Sequence, residues 1–343
     1  MMFNDKQRGT LKSAVAFVTV ALLPLGSACA LDEGSEDAEL EEAEGGGHHG
    51  DDPELLLSGL EGAQGSTVGP DGALYVTEGT AGRILRVDPR NGRTRVFASG
   101  LPQQIPAVGI GGPVDVAFLG NTGYALVTLV GPDVGGTSVV GVYRIDSPTS
   151  STLIADVGAF SQANPPGTDF FIPTGVQYAL EVLRGDLLVS DGHHNRVLRV
   201  TRDGAISELR AFDNIVPTGL EVSGDRVYMA EAGPVPHLAA DGAIVSFRRE
   251  SSTVRDEASG APFLVDVEFG RDDLYGLSQG FFPPGNPEGS PAAPDTGSLV
   301  KVRHNGNFSV VVDELDRPTS VEFIRNTAYV VTIPGDVWKI DCR

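Results

Sequence analysis

From Gly65 onward the chain alternates apolar and polar positions in short runs, and glycine, proline and aspartate punctuate them. The order of runs keeps returning. Gly69 opens G-P-D-G-A-L-Y-V-T-E, followed by R-I-L-R-V-D, R-N-G-R and T-R-V-F-A-S-G-L. Pro173 opens P-T-G-V, G-D-L-L-V-S-D, N-R-V-L-R-V and A-I-S-E-L, and Pro217 opens P-T-G-L-E-V, G-D-R-V-Y-M-A-E and G-A-I-V-S-F. A period-two alternation predicts half-buried strands. Four such strands in fixed order, repeating at about 50 residues, predict the blades of a β-propeller. The expected fold class is therefore all-β, with six blades. They start at about Gly65, Gly112, Pro173, Pro217, Leu264 and Pro318, the first ending at Leu101 and the second near Phe160.

The sixth blade lacks an outer strand before the chain ends at Arg343. Glu54–Leu60, E-L-L-L-S-G-L, carries the same pattern and the same S-G-L ending as the outer strand of blade one. This segment is expected to complete blade six and close the ring, covering two sheet edges.

Composition sharpens the boundaries. The formal net charge is −21, which argues against nucleic acid or an anionic membrane surface as partner. Eleven of the acids lie between residues 31 and 54, with no Lys or Arg among them. Residues 31–53 are accordingly expected to be a disordered acidic linker. Lys6, Arg8 and Lys12 precede an apolar run from Ser13 to Leu25 and the small residues Ala28-Cys29-Ala30, the pattern of an export signal over residues 1–30. Two outcomes stay open there. Cleavage after Ala30 discards Cys29 and leaves Cys342 as the only thiol; lipid attachment at Cys29 anchors the protein to the cell envelope. A monomeric propeller over residues 54–343, exported to the periplasm, the exterior or the envelope surface, is the expectation.

Candidate chemistry is sparse. No G-x-S-x-G elbow occurs with a placed His and Asp, and no zinc cysteine cluster, phosphate loop or dinucleotide fingerprint is present. The acidic body is a poor match for a quinone-dependent sugar dehydrogenase. In a propeller, the loops between second and third strands and those entering each inner strand gather at one mouth of the channel. At the end of the second strand stand Glu78, Asp191 and Glu231, with Leu129, Ser278 and Ile333 in the other blades, and His193, His194 and Asn195 follow in blade three. Glu78, Asp191 and Glu231 are candidate ligands for a divalent ion such as Ca2+, and with His193 as base they form the candidate catalytic set. Before the first inner-strand Val or Leu the pattern aligns Thr67, Asp115, Gly175, Gly219, Asp266 and Ser320. Asp115 and Asp266 face each other across a six-bladed ring and are a second candidate metal pair, or caps on neighbouring backbone. His48 and His49 beside Asp51 and Asp52 are a minor candidate metal run in a solvated spacer. The long Pro-rich loop from Gly280 to Gly297 carries Phe281 and Phe282, a candidate binding loop or lid.

The order G-P-D-G-A-L-Y-V-T-E, G-G-P-V-D-V-A-F, D-V-G-A-F-S-Q-A-N-P-P-G-T-D, V-P-T-G-L resembles the ScyD/ScyE family of exported bacterial propellers. The segment Asp156 to Asp169 lies outside the blade repeat and is the most specific part of the likeness. The resemblance spans about Leu55 to Asp341 and implies six blades, with no settled catalytic motif. Val114 stands where the family often has histidine, and His193-His194 where it is usually glycine-rich. Two readings follow: a ligand- or protein-binding scaffold at the cell envelope, whose partner is an unidentified small molecule or envelope protein, and a calcium-dependent hydrolase of the lactonase or strictosidine-synthase-like kind.

Overall fold

The computed structural model describes residues 53–342 apart from Val235 and Glu288. The export signal, the acidic linker, Cys29 and the His48/His49 run lie outside the described residues. Six antiparallel sheets of four strands each make up the described chain. In five of them the strands follow chain order from the inside outwards. The sixth takes Pro318–Ile324, Thr327–Thr332 and Val337–Asp341 from the end of the chain and Glu54–Leu57 from its start. The closing strand pairs antiparallel with the last, Glu54 opposite Lys339 and Leu57 opposite Val337. The ring closes as the sequence pattern requires.

The alternation within each strand explains where the core sits. Leu74 and Val76 point toward blade six, where they meet Tyr329, Val331 and Val337; Tyr75 between them points toward blade two and packs on Phe97 and Phe118. The same division recurs around the ring, so the core is six apolar wedges, one between each pair of neighbouring blades. A sheet buried on both faces needs apolar residues at successive positions, and Leu74–Glu78 is buried throughout.

Every inner strand carries a β-bulge near its start, at Ala63/Ser66, Pro113/Asp115, Gln177/Leu180, Pro217/Leu220, Leu264/Asp266 and Pro318/Ser320. A bulge re-aims the side chains that follow it. Across the blade boundary Ser320, Asp115 and Asp266 cap the N–H groups of Ser66, Leu180 and Val321. The residues before those three are Gly65, Ala179 and Ser320, so in the alignment with Asp115, Gly219 and Asp266, Gly65 and Ala179 replace Thr67 and Gly175. At the end of the second strand, the residue opposite the start of the inner strand is Glu78, Thr128, Asp191, Glu231, Ser278 and Thr332. Thr128 and Thr332 thus replace Leu129 and Ile333.

Closure depends on the residues just after the first strand. Leu60 is buried between blades six and one, and its N–H bonds the Gly335 carbonyl at 3.0 Å. Leu60→Ala is expected to cost about 2–4 kcal/mol, whereas Leu55→Ala, at a site 46% exposed, changes stability by less than about 0.5 kcal/mol. Deleting residues 54–60 is expected to lower the melting temperature sharply. Denaturant unfolding of the three variants checks this; an unchanged midpoint for the deletion contradicts the closure.

Candidate functional site

The carboxylates singled out from sequence have three different environments. Glu78 is fully buried and meets Arg83 of the adjacent strand through both oxygens, at 3.1 Å for Nη2 to Oε1, and Oε1 also accepts from the Glu61 N–H at 2.7 Å. Asp191 repeats that cross-strand pairing with Arg196, Nε to Oδ2 at 2.9 Å, and both residues are buried. Its other oxygen accepts from Gln177 Nε2 at 2.8 Å. Arg196 donates onward to Ser161 Oγ, His194 Nδ1 and the Asn164 carbonyl. Ser161 belongs to the short helix Val157–Ala163, which Asp156 caps at the Ala159 N–H. The segment that carries the family resemblance is thereby pinned to blade three by a buried ion pair. In blade four the position facing Glu231 is Ala243, not arginine. Burial pushes the Glu231 carboxyl up to about 7, with Asp256 adding to the shift.

Asp115 and Asp266 do converge on the channel, and they work there as bridges. Asp115 accepts from the Val116 N–H at 2.8 Å and from the Leu180 N–H of blade three at 2.7 Å. Asp266 accepts from Val267 at 2.9 Å and from Val321 of blade six at 2.8 Å. Each also presses on the blade before it: a Cβ on Gly65 would stand 2.5 Å from Asp115 Oδ1, and one on Gly219 would stand 2.3 Å from Asp266 Oδ1. Glycine is required at those two places by close approach. With Asp115 and Asp266 holding N–H groups and Glu78 and Asp191 holding guanidinium groups, these oxygens are committed. Among the described residues no three His, Cys, Asp or Glu side chains are grouped to hold a metal ion, and the donor set does not fit a Ca2+ site.

Two compartments lie along the axis. The lower one, about 40 Å3, is lined by Asp115, Asp266, Glu181, Glu268 and Glu322. Glu181, Glu221, Glu268 and Glu322 occupy the same inner-strand place in blades three to six, two residues after the aligned position. Among the described residues no Lys or Arg lines this chamber. The chamber leaves the glutamates a little open surface, but protein walls it, so charge there is poorly hydrated. Desolvation therefore pushes the carboxyls of Glu181, Glu268 and Glu322 well above the ordinary range and those of Glu221 and Asp266 to about 7. Sequence reasoning missed this ring, although a glutamate recurring at one register of L-E-V and V-E-F was a readable signal.

The upper compartment is the mouth, a cavity of about 150 Å3. Ile110, Val114, Val216, Val265 and Ile333 supply apolar walls, and Tyr178, His193, His237 and Phe263 supply rings. Among the described residues no Asp, Glu, Lys or Arg lines it. His193 Nε2 and the Tyr178 hydroxyl are 3.0 Å apart. Desolvation, with His237 nearby, lowers the His193 pKa to about 4, so the ring is neutral at pH 7. His237 stacks on Phe263 at 4.3 Å and meets Phe282 edge-on at 5.2 Å, while its Nδ1 lies 2.7 Å from the Gly233 carbonyl. Phe282 is thus a buried support and Phe281 an exposed neighbour, 59% accessible. The Pro-rich loop contributes Gly289, Ser290 and Pro291 to the cavity. Of the sequence candidates only His193 lies on the mouth wall; Tyr178, His237, Phe263 and Val216 carried no signal strong enough to find them.

Backbone strain accompanies this wall. The residue entering the inner strand, whose carbonyl receives the N–H after the second strand, is Gly62 in blade one, Val176 in blade three, Val216 in blade four, Phe263 in blade five and Arg317 in blade six. Gly62 takes φ +72° freely, but Val216, Phe263 and Arg317 are held at +50°, +43° and +47°. Such conformations cost of order 1–3 kcal/mol each in a non-glycine residue. Val216 and Phe263 put apolar side chains on the cavity wall; Arg317 does not line it.

The raised carboxyls have a stability consequence. Their folded pKa values exceed the ordinary ones of 3.8 and 4.5, so the folded state holds protons that the unfolded chain has released. Their stabilising effect is full below pH 4 and is lost as pH rises through about 7. The melting temperature is expected to fall by about 5 °C or more between pH 5 and pH 8. Replacing Glu181, Glu221, Glu268 and Glu322 by Gln should flatten that slope. A melting temperature that rises across the window contradicts the desolvated chamber.

No protein-family model matches the chain, and no curated protein is detectably similar to it. Solved structures are. Virginiamycin B lyase from Staphylococcus aureus matches with a TM-score of 0.51 at 13% identity, over 84% of this chain and 98% of that one. A gluconolactonase from Xanthomonas campestris matches at 0.57 and 14%, over 85% and 89%. The nidogen–laminin complex contains a chain that matches at 0.50 and 13%, over 76% and 84%. At these identities the likeness is one of fold: this chain is a six-bladed β-propeller of the kind shared by lyases, lactonases and binding modules.

Proposed function

We propose that this chain is an exported propeller of the ScyD/ScyE kind that acts as a binding module at the cell envelope, with the channel mouth as its recognition site and an uncharged small molecule as its ligand. One observation carries the reading: in a protein of net charge −21, no charged side chain among the described residues lines the mouth cavity. Burying an ion against such a wall is costly, whereas an apolar ligand gains about 25 cal/mol per Å2 covered. The neutral His193, bonded to Tyr178, leaves polar contacts for orientation without adding charge. The export signal supports placement outside the cytoplasm, and the low charge of the mouth suits a ligand rather than a highly charged protein partner.

The calcium-dependent hydrolase reading retains one supporting feature, Glu231, a buried carboxyl facing alanine where two other blades supply arginine. It becomes an arm of the test. A thermal-shift screen of the purified protein against neutral, anionic and cationic small molecules, and against CaCl2, separates the readings. Neutral compounds are expected to stabilise it, by about 2.7 kcal/mol at a hundredfold excess over Kd, and Ile333→Arg should abolish the effect. Stabilisation by Ca2+ that is lost in Glu231→Gln, or by charged compounds alone, would overturn the proposal.

A further inference from the structure

We infer that the mouth cavity is a seat for one uncharged aromatic ring. The inference rests on the reading of the mouth as a binding site and narrows the ligand class. Two features point to it. The first is size. A cavity of about 150 Å3 has room for a benzene-sized molecule, and a single methyl group would leave most of the space unfilled.

The second feature is the wall. Rings from three successive blades line it. Blade three provides Tyr178 and His193, with Phe171 set edge-on to His193 at 4.8 Å. Blades four and five provide His237 and Phe263, stacked on each other and buttressed by Phe282. A ring placed against these groups meets aromatic partners, which add to the simple burial of area. Among the described residues no charged group lines the cavity to pair with an ionised ligand.

Val216 and Phe263 reach the cavity from left-handed conformations that glycine adopts freely at the matching place in blade one. Arg317 holds the same conformation, φ +47°, at the matching place in blade six without lining the cavity, so the conformation belongs to the blade and it is the two side chains that shape the wall. Outside the cavity, Phe170, Phe171, Leu238 and Phe281 are all exposed on these loops, so a ligand whose ring is seated has apolar surface over which to extend.

The test uses matched probes on the full-length protein. Benzyl alcohol and cyclohexylmethanol differ only in ring character; benzoate and benzylamine add a charge of either sign. Binding is read by saturation-transfer NMR and titration at pH 7. Benzyl alcohol is expected to bind, cyclohexylmethanol roughly 2- to 10-fold more weakly, and both ions at least about 10-fold more weakly. Phe263→Leu should keep binding but erase the preference for the aromatic probe. Ile333→Trp should fill the cavity and abolish binding of every probe, with melting temperatures of both variants close to that of the parent. Equal affinity for the two alcohols, tighter binding of either ion, or benzyl alcohol binding that survives Ile333→Trp would overturn the inference. If a neutral non-aromatic compound is expelled by Ile333→Trp while benzyl alcohol does not bind, the ring inference falls and the mouth remains the site. If no compound responds to Ile333→Trp, both fall.

Discussion

The structure depends on closure of the ring by Glu54–Leu57. Six sheets pack face to face, each apolar wedge shared by two blades, and the wedge between blades six and one includes Leu56, Leu57 and Leu60 of the closing segment, whose strand pairs with the last. Without that pairing, blades six and one lose the contact that carries Leu60, and the outer edge of Val337–Asp341 is open to strand addition. Closure also fixes the axis. It holds six inner strands around a common channel, and their bulges at equivalent places determine which side chains turn into it. The function of the channel is therefore set by a handful of inner-strand positions and by the loops that enter them.

Those positions divide the axis into two unlike compartments. In the lower chamber the aspartates of blades two and five each tie three blades together, pressing on a glycine behind and capping a backbone N–H ahead. Among the described residues no cation lines the chamber beside the glutamates, and poor hydration raises their pKa values. Among the described residues no charged side chain lines the mouth above. The same desolvation acts with opposite sign in the two places: it favours the protonated carboxyl below and the unprotonated imidazole of His193 above. Both shifts remove charge from the axis, and that common direction is what makes the mouth suited to a neutral ligand.

The blades, their number and the closing strand were legible because they rest on period-two alternation and on a repeated order of turns, which the backbone obeys closely. Register near the bulges was not. In blade one the aligned residue Gly65 is followed by Ser66 rather than Val or Leu, and in blade three Val176 precedes the strand while Leu180 lies within it, so an alignment on the first Val or Leu points to Thr67 and Gly175 instead of Gly65 and Ala179. The carboxylates read as candidate ligands were correctly placed at strand ends, but the arginines facing Glu78 and Asp191 come from the next strand. Their pairing is visible in sequence only once the strand register is known. His237 and Phe263 are unremarkable in sequence because their importance comes from loops of blades four and five meeting in space.

The account stands most directly on the ionisation of the axis. An NMR pH titration of the His ring nitrogens and of the Asp and Glu side-chain carboxyl carbons measures it in one experiment. The account predicts that His193 stays unprotonated until the pH falls to about 4, while a group of carboxyls including Glu221 and Asp266 titrates near 7. His193 titrating near its ordinary value of 6.5, with every carboxyl finished by pH 5, would mean a hydrated channel and would contradict the neutral mouth.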